Sequence, residues 1–385
     1  MKRICLTVSS PMTISAFLGN HIKLLGKHYD IDIIANFEGR KPALTPEGAN
    51  RLHDVAIDRK ISIFRDINAL FSLYRNYSNN RYDLVHSVTP KAGLLAMTAA
   101  RLAGVPIRLH TFTGQVWATQ QGFKRRLLKT MDRILAGMAT HVLVDSASQR
   151  QFLINEGVVL PEKSTVLANG SISGVDTDRF KPDPETRQSV RDELGLDAND
   201  VVFLFLGRLN RDKGVLDLAQ AFARIAGHKP NSRLLFVGPD EDGMRQQIMT
   251  ICSQCIHQVC FVDFTSAPER YMNTADVFCL PSYREGFGSV IIEAAASGIP
   301  AIGSRIYGIS DAIDNEQTGL MFEVGNVSEL GESMLEMIDN SDKRQQMGTL
   351  ARKRAVELFQ SDMVSRELAI FYQQLLADDS AKARA

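Results

Sequence analysis

Short apolar runs rich in Val, Ile, Leu and Phe alternate with stretches of helical period along nearly the whole chain. Through the first half the runs are RICLTVS, IDIIANF, DLVHSV (residues 83–88), PIRLHTF (106–112), HVLVDS (141–146) and STVLAN (164–169). Such continuous runs suit strands buried on both faces, and helices between them imply right-handed βαβ units on a parallel sheet. The rhythm pauses across residues 170–200, where Gly, Pro and Asp are dense and KPDPE cannot lie inside a helix or a central strand. It resumes with VVFLFLG (201–207), RLLFVG (233–238), VCFVDF (259–264), DVFCLPS (276–282) and IPAIG (299–303). Two doubly wound α/β domains follow, over residues 1–175 and 176–360. A closing helix over 361–377, with Val364, Leu368, Phe371 and Leu375 near one face, is placed to pack back on the first.

Length agrees, because one core seldom grows beyond roughly 250 to 300 residues and this chain has 385. Self-similarity at solenoid or propeller periods is lacking. Lys plus Arg and Asp plus Glu both number 44, so no global field draws nucleic acid, and an anionic ligand must be met by a local cluster. The five cysteines are scattered and odd in number, which argues against a disulfide framework; Cys252 and Cys255 form a lone CxxC without a second pair at zinc spacing. MKRICLTVSS reads as a first strand rather than a signal segment, and no apolar run reaches the roughly 18 residues of a membrane span. A cytoplasmic location is expected.

In open parallel sheets ligands bind beyond the carboxyl ends of the strands, so the chemistry is sought just after them. GRLNRDKG follows the strand ending at Leu206 and precedes a helix, setting Arg208 and Lys213 on one loop between Gly207 and Gly214. Two cations beside the partially positive start of a helix call for an anion, and a diphosphate supplies it. Alone, the loop is read equally well as a solvated turn whose Arg pairs with Asp212 or another acid. SYREGFGSVIIEAAASGIP follows DVFCLPS. There Gly286, Phe287, Gly288, Ser289 and Val290 lead into a helix whose free N–H groups suit a phosphate. Glu293 lies one turn in, on the face of Ser289, where it suits a ribose; Glu285, in the loop, suits the hydroxyls of a sugar. A helix-dipole partner and a surface acid explain each singly but not the pair.

These residues resemble the retaining GT-B family known as glycosyltransferase family four, with its E-x7-E pair (Glu285 and Glu293) and its Arg and Lys after the first strand of the second domain (Arg208 and Lys213). NGS with GVDTDRF resembles that family's interdomain crossover, and GLMFEVGNVSELGESMLEMI its late second-domain segment. The resemblance implies two Rossmann-like domains facing across a cleft, and transfer of a hexose or N-acetylhexosamine from a nucleotide diphosphate sugar, UDP-sugar first. It implies retention of configuration without a metal or a further cofactor. Arg208 and Lys213 then neutralise the diphosphate, Glu293 holds the ribose, Glu285 orients the sugar, and the backbone at Phe264 meets the base. His110 would face the donor sugar, with a satisfied core histidine as the alternative. The first loop departs from the family's glycine pair, reading SSPMTISAFLGNH, so Met12, Thr13 and Ser15 stand where phosphates or the acceptor would approach. DTD at 176–178 invites a metal reading, but turn chemistry fits its place better.

FKRRLLKTMDRILAGM, after Gly122, sets Leu127, Leu128, Met131, Ile134, Leu135 and Met138 on one stripe and Arg125, Lys129 and Arg133 on another. Such a helix either lies on anionic lipid or is an ordinary helix with a solvated basic face. HSVTPKAGLLAMTAARLAGVPIRLHTFTGQVW resembles bacterial surface-polysaccharide and lipid-linked oligosaccharide transferases, which implies a polyprenyl-diphosphate saccharide as acceptor at the inner membrane. Trp117, Lys91, Arg101 and Arg108 are then candidates to meet its diphosphate, unless Trp117 simply packs. A dinucleotide-dependent oxidoreductase is disfavoured because GFGSVI completes no GxGxxG, Ile291 taking the third position. A nucleotide-sugar epimerase, or a silent nucleotide-sugar binder, shares the fold and is separated by assaying transfer.

Overall fold

The computed structural model describes residues 1–39, 45–58 and 62–382, the side chain of Lys382 excepted. Two compact units are present, one formed by residues 1–173 with the segment from Ser361 onward, the other by Gly174–Gln360.

The first unit contains β1 (Arg3–Thr7), β2 (Asp30–Ala35), β3 (Arg51–Asp54), β4 (Leu84–Val88), β5 (Ile107–Phe112), β6 (His141–Val144) and β7 (Ser164–Thr165). They form one sheet of order β3-β2-β1-β4-β5-β6-β7, every pair parallel. Alternate residues serve opposite faces: Cys5, Ile34 and Val85 join one core, and Ile4, Leu6, Ile33 and Leu84 another. That is why the strands read as unbroken apolar runs. The helix Ser361–Lys382 covers the second core with Leu368, Tyr372, Leu375 and Leu376, and burial of each leucine contributes about 2 kcal/mol. Hydrogen bonds fix it, between Tyr372 and His86 Nδ1 at 2.6 Å, between Ser365 and His21 Nδ1 at 2.8 Å, and from the Asn20 amide to Asp362 and Ser365, each at 3.0 Å. Tyr372, rather than Phe371, fills the buried position.

The second unit contains β8 (Val201–Leu206), β9 (Ser232–Val237), β10 (Val259–Val262), β11 (Val277–Leu280), β12 (Ala301–Ser304) and β13 (Gly319–Phe322), ordered β10-β9-β8-β11-β12-β13 and again all parallel. The fold is therefore α/β, two Rossmann-like sheets. Strand order reverses between β1 and β4 in one unit and between β8 and β11 in the other, the places where such sheets open a crevice at their carboxyl ends.

Three elements escape the hydrophobic pattern. β3 (RLHD) is an edge strand with no apolar run, and β13 (GLMF) is only four residues long. Residues 170–200 are not merely a linker, since Pro184–Leu194 is a helix with Pro184 in its first turn and Asp183 capping it. Arg187 and the buried Arg191 of that helix grip Asp276 at 2.7 and 2.9 Å, and Asp276 also accepts from the Val202 N–H. The segment read as a pause is thus bolted to the start of β8 and β11.

Candidate functional site

In the second unit the loops after β8 and β11 lie on either side of the strand-order reversal and are locked together. The Asn210 side chain caps a tight turn, accepting from the Lys213 N–H at 3.2 Å, and Gly214 then enters the helix Val215–Ala226 with φ of +67°. A methyl group on Gly214 would collide with the Pro281 carbonyl oxygen, so the chains approach as closely as only glycine allows. Across this contact Tyr283 N–H donates to the Asp212 carbonyl at 2.8 Å, and the Arg284 guanidinium donates to the Asp212 carboxylate at 2.9 and 3.1 Å. Tyr283 O–H reaches Asp217 at 2.7 Å.

This clamp delivers Lys213 Nζ to 2.5 Å from Glu285 Oε1, which also accepts from the Ser282 hydroxyl at 2.8 Å. Both side chains are largely but not wholly covered, so a ligand can still reach them. Gly288, with φ of +72°, is the N-cap of the helix Ser289–Ala296, and no side chain caps its first N–H groups. Such donors at a helix start favour an anion. Glu293 is half-buried within that helix. Loss of solvation pushes its carboxyl up to about 7; Arg179 opposes the rise and Glu269 reinforces it. A hydroxyl donating to that carboxyl favours its ionised form and draws the pKa back down.

Arg208 does not pair with Asp212, which Arg284 occupies. It turns instead to Glu241 on the loop after β9, at 3.0 Å, where Asn210 also donates at 3.3 Å. β9 flanks β8 on the side away from β11, so one loop sends Arg208 and Lys213 to opposite neighbours. Gly207 N–H donates to the Val237 carbonyl at 2.9 Å, and Phe264, beyond β10, is exposed. Glu241, Ser282 and the Asp212–Arg284 clamp were not foreseen; the acid-rich PDEDG after β9 is the only sequence mark of the first.

In the first unit His110 is fully buried. Its Nδ1 meets the Ser87 hydroxyl at 2.8 Å, its edge packs on Phe112, and Nε2 has no hydrogen-bond partner among the described residues. Burial lowers its pKa to about 3 against the opposing hydrogen bond, so the ring is neutral at ordinary pH. Gly93 leaves the room for it, since a methyl there would collide with the imidazole. Thr13 is buried at the end of the short helix Pro11–Thr13, while Met12 beside it is exposed.

The cluster drawn around Trp117 does not assemble. Trp117 is buried, its N–H donating to Asp132 at 2.7 Å. Lys91 opens the helix Pro90–Leu102 and pairs with Asp66 at 2.6 Å, whereas Arg101 closes that helix and Arg108 binds carbonyl groups at the amino end of β5. In the helix Gly122–Met138 the faces also differ from expectation: Arg125 and Lys129 stack on Trp117 and pair with Glu156, while Leu127 and Ile134 are exposed. Cation–π contact and a carboxylate outweighed the apolar stripe. Asp176 accepts from the N–H groups of Asp178 and Arg179, a turn. Among the described residues no group of three or more His, Cys, Asp or Glu is gathered as a metal site, and no helix is long and apolar enough to cross a membrane.

Two parallel Rossmann-like sheets, with cations, carboxylates and a bare helix start gathered after the strands of the second, define a GT-B glycosyltransferase. Residues 186–354 match the family described as glycosyl transferases group 1, and residues 24–170 match the glycosyl transferase 4-like domain. The capsular polysaccharide biosynthesis glycosyltransferase CapM of Staphylococcus aureus is 30% identical over 358 residues, 92% of this chain and 93% of that protein. The UDP-Gal:alpha-D-GlcNAc-diphosphoundecaprenol alpha-1,3-galactosyltransferase of Escherichia coli is 28% identical over 322 residues, 82% of each chain. Among solved structures, Anabaena HepE in complex with UDP-glucose superposes with a TM-score of 0.79 at 18% identity, over 97% of this chain and 100% of that one. The chain belongs to the group 1 glycosyltransferases of the family-four GT-B type.

Proposed function

We propose that this glycosyltransferase moves a hexose or N-acetylhexosamine-type sugar from a UDP-sugar to a hydroxyl of a polyprenyl-diphosphate-linked saccharide, with retention and without a metal. The work belongs to surface polysaccharide or glycoconjugate synthesis, such as capsule or lipopolysaccharide, at the cytoplasmic face of the inner membrane and in peripheral contact with it. The observation that carries the reading is the Lys213–Glu285 pair at the strand-order reversal, beside an uncapped helix start. Support for the donor comes from the UDP-glucose complex of HepE, and for the acceptor from the lipid diphosphate named in the E. coli relative.

In this reading the acceptor oxygen bonds to the anomeric carbon on the face from which the diphosphate oxygen departs, and the acceptor proton passes to that departing oxygen. Charge therefore builds on the diphosphate as the bond breaks. Lys213, Arg208, the N–H groups from Gly286 to Val290 and the turn at Gly207 are preorganised for it, the kind of arrangement that contributes most to catalysis. Glu285 exchanges Lys213 for donor-sugar hydroxyls, Glu293 takes the ribose, and the backbone at Phe264 meets the base. His110, held neutral, positions the donor sugar, and Thr13 borders the phosphates.

The test is transfer from UDP-glucose, UDP-galactose and UDP-N-acetylglucosamine to a short-chain lipid diphosphate saccharide, with the product's anomeric coupling read by NMR. An α-linked product from the α-configured donor, formed equally in EDTA, is expected. A β-linked product would overturn retention, and activity lost in EDTA and restored by magnesium would overturn metal independence.

A further inference from the structure

The helix Ile63–Asn80 has two apolar faces, and the first unit uses only one. Ala69, Leu73 and Tyr77 are buried in its core. Ile63, Phe64, Ile67 and Phe71 lie within an arc about 100° wide on another side, and they are 72%, 84%, 57% and 64% exposed. Chains that stay free in water rarely display contiguous apolar surface of this kind. Phe123, 80% exposed, and Leu127 stand in the first turns of the helix Gly122–Met138. Helices of a parallel sheet begin beyond the carboxyl ends of the strands they follow, so the first turns after β3 and β5 stand along the same edge as the β1/β4 reversal.

Among the described residues, the unpaired charges in these helix turns are of one sign, and Arg65 is taken by Asp58. Lys124 and Arg126 alternate with Phe123 and Leu127, both exposed and neither in an ion pair among the described residues, whereas Arg125 and Lys129 are consumed by Glu156. The one acid in the first turns of Ile63–Asn80, Asp66, is taken by Lys91. Apolar rings with unpaired cations and, in the same helix turns, no unpaired carboxylate among the described residues complement an anionic lipid surface, into which the rings sink while the cations meet headgroups. A second copy of this face would instead bring like charges together. We infer that the carboxyl edge of the first unit, through Phe64, Phe71 and Phe123 with Lys124 and Arg126, is a docking surface for anionic membrane. The inference deepens the proposed reading, resting on it for the membrane contact and the lipid-borne acceptor that docking would serve.

The experiment is flotation of the full chain with phosphatidylcholine vesicles with and without phosphatidylglycerol, comparing wild type with Phe64→Ser/Phe71→Ser and with Lys124→Glu/Arg126→Glu. Thermal stabilisation by UDP serves as the check on fold and donor site. Wild type should float with the phosphatidylglycerol vesicles, the serine pair should weaken this about tenfold or more, and the charge reversal should abolish the preference for anionic vesicles. UDP should stabilise all three proteins equally. Absence of flotation, unchanged flotation of the serine pair, equal binding to neutral vesicles, or a wild-type dimer that the serine pair splits would each overturn the surface. Lost docking with UDP stabilisation intact leaves the donor reading standing. Docking that obeys the variants without any response to UDP removes the donor reading and keeps the surface.

Discussion

The two units reverse their strand order in the same way and fill the resulting place with opposite chemistry. Between β8 and β11 the loops carry Lys213 against Glu285 and Arg284 against Asp212, next to a helix whose first N–H groups are uncapped. Between β1 and β4 the loops meet through two hydroxyls, Ser9 and Thr89 at 3.2 Å, and the neighbouring turns present Met12, Phe64 and Phe123 to solvent. Topology fixes where a ligand lies, and the side chains decide what charge it has. In the proposed reading a diphosphate takes the first place and a neutral sugar on a lipid the second.

The largest effect should separate the two. Lys213→Ala is expected to lower kcat/KM about a thousandfold, the scale of losing one preorganised charge partner of a developing anion. Its thermal midpoint should stay near wild type, because the pair is partly exposed. Thr13→Ala should cost no more than about tenfold, a single hydroxyl contact. Steady-state kinetics on both variants decides the matter: equal losses would erase the division of labour between the units.

Much of this was legible because buried parallel strands such as VVFLFL announce themselves, and because two cations beside a helix start conflict unless an anion resolves them. What stayed hidden depends on which strands become neighbours. Arg208 meets Glu241, 33 residues away, and Asp212 meets Arg284, 72 away, only because β9 and β11 flank β8. No periodicity encodes that order. The helix Gly122–Met138 misleads for a related reason: spacing gives the faces but not which is covered, and Trp117 with Glu156 claimed the basic one. His110 could be named from its neighbourhood in the sequence, yet its depth follows from Gly93 on the adjoining helix.

Acidity sharpens the comparison, since each unit holds a displaced group of opposite sign. Glu293, raised from 4.5 to about 7, keeps its proton more tightly folded than unfolded, so its contribution to stability is full below about 4.5 and is lost as pH climbs through about 7. His110, lowered from 6.5 to about 3, contributes above 6.5 and loses that contribution as pH falls toward about 3. Thermal midpoints across pH should therefore show Glu293→Gln gaining on wild type between about 4.5 and 7. Ribose hydroxyls favour the charged carboxylate, so UDP binding near neutrality should also release protons, seen as a dependence of calorimetric heat on buffer ionisation. A pH-independent difference between Glu293→Gln and wild type would remove the carboxyl from both roles.

The smallest effect concerns the second cation. Arg208 is about half exposed and its partner Glu241 about a third, at 51% and 37%, so the pair is worth only about 0.2 to 1 kcal/mol. A diphosphate must nonetheless displace Glu241 to claim Arg208 together with Lys213. Glu241→Gln removes that competitor while keeping the shape of the side chain, and UDP should bind about two- to fivefold more tightly as a result. Because the competition is between partly solvated charges, the gain should shrink as salt shortens the Debye length below about 10 Å. Titration calorimetry at low and high salt reads both quantities. Weaker binding of UDP by Glu241→Gln would mean that Glu241 steadies Arg208 for the ligand instead of competing with it, and the second unit would then hold its cations in place through carboxylates on both flanks of β8.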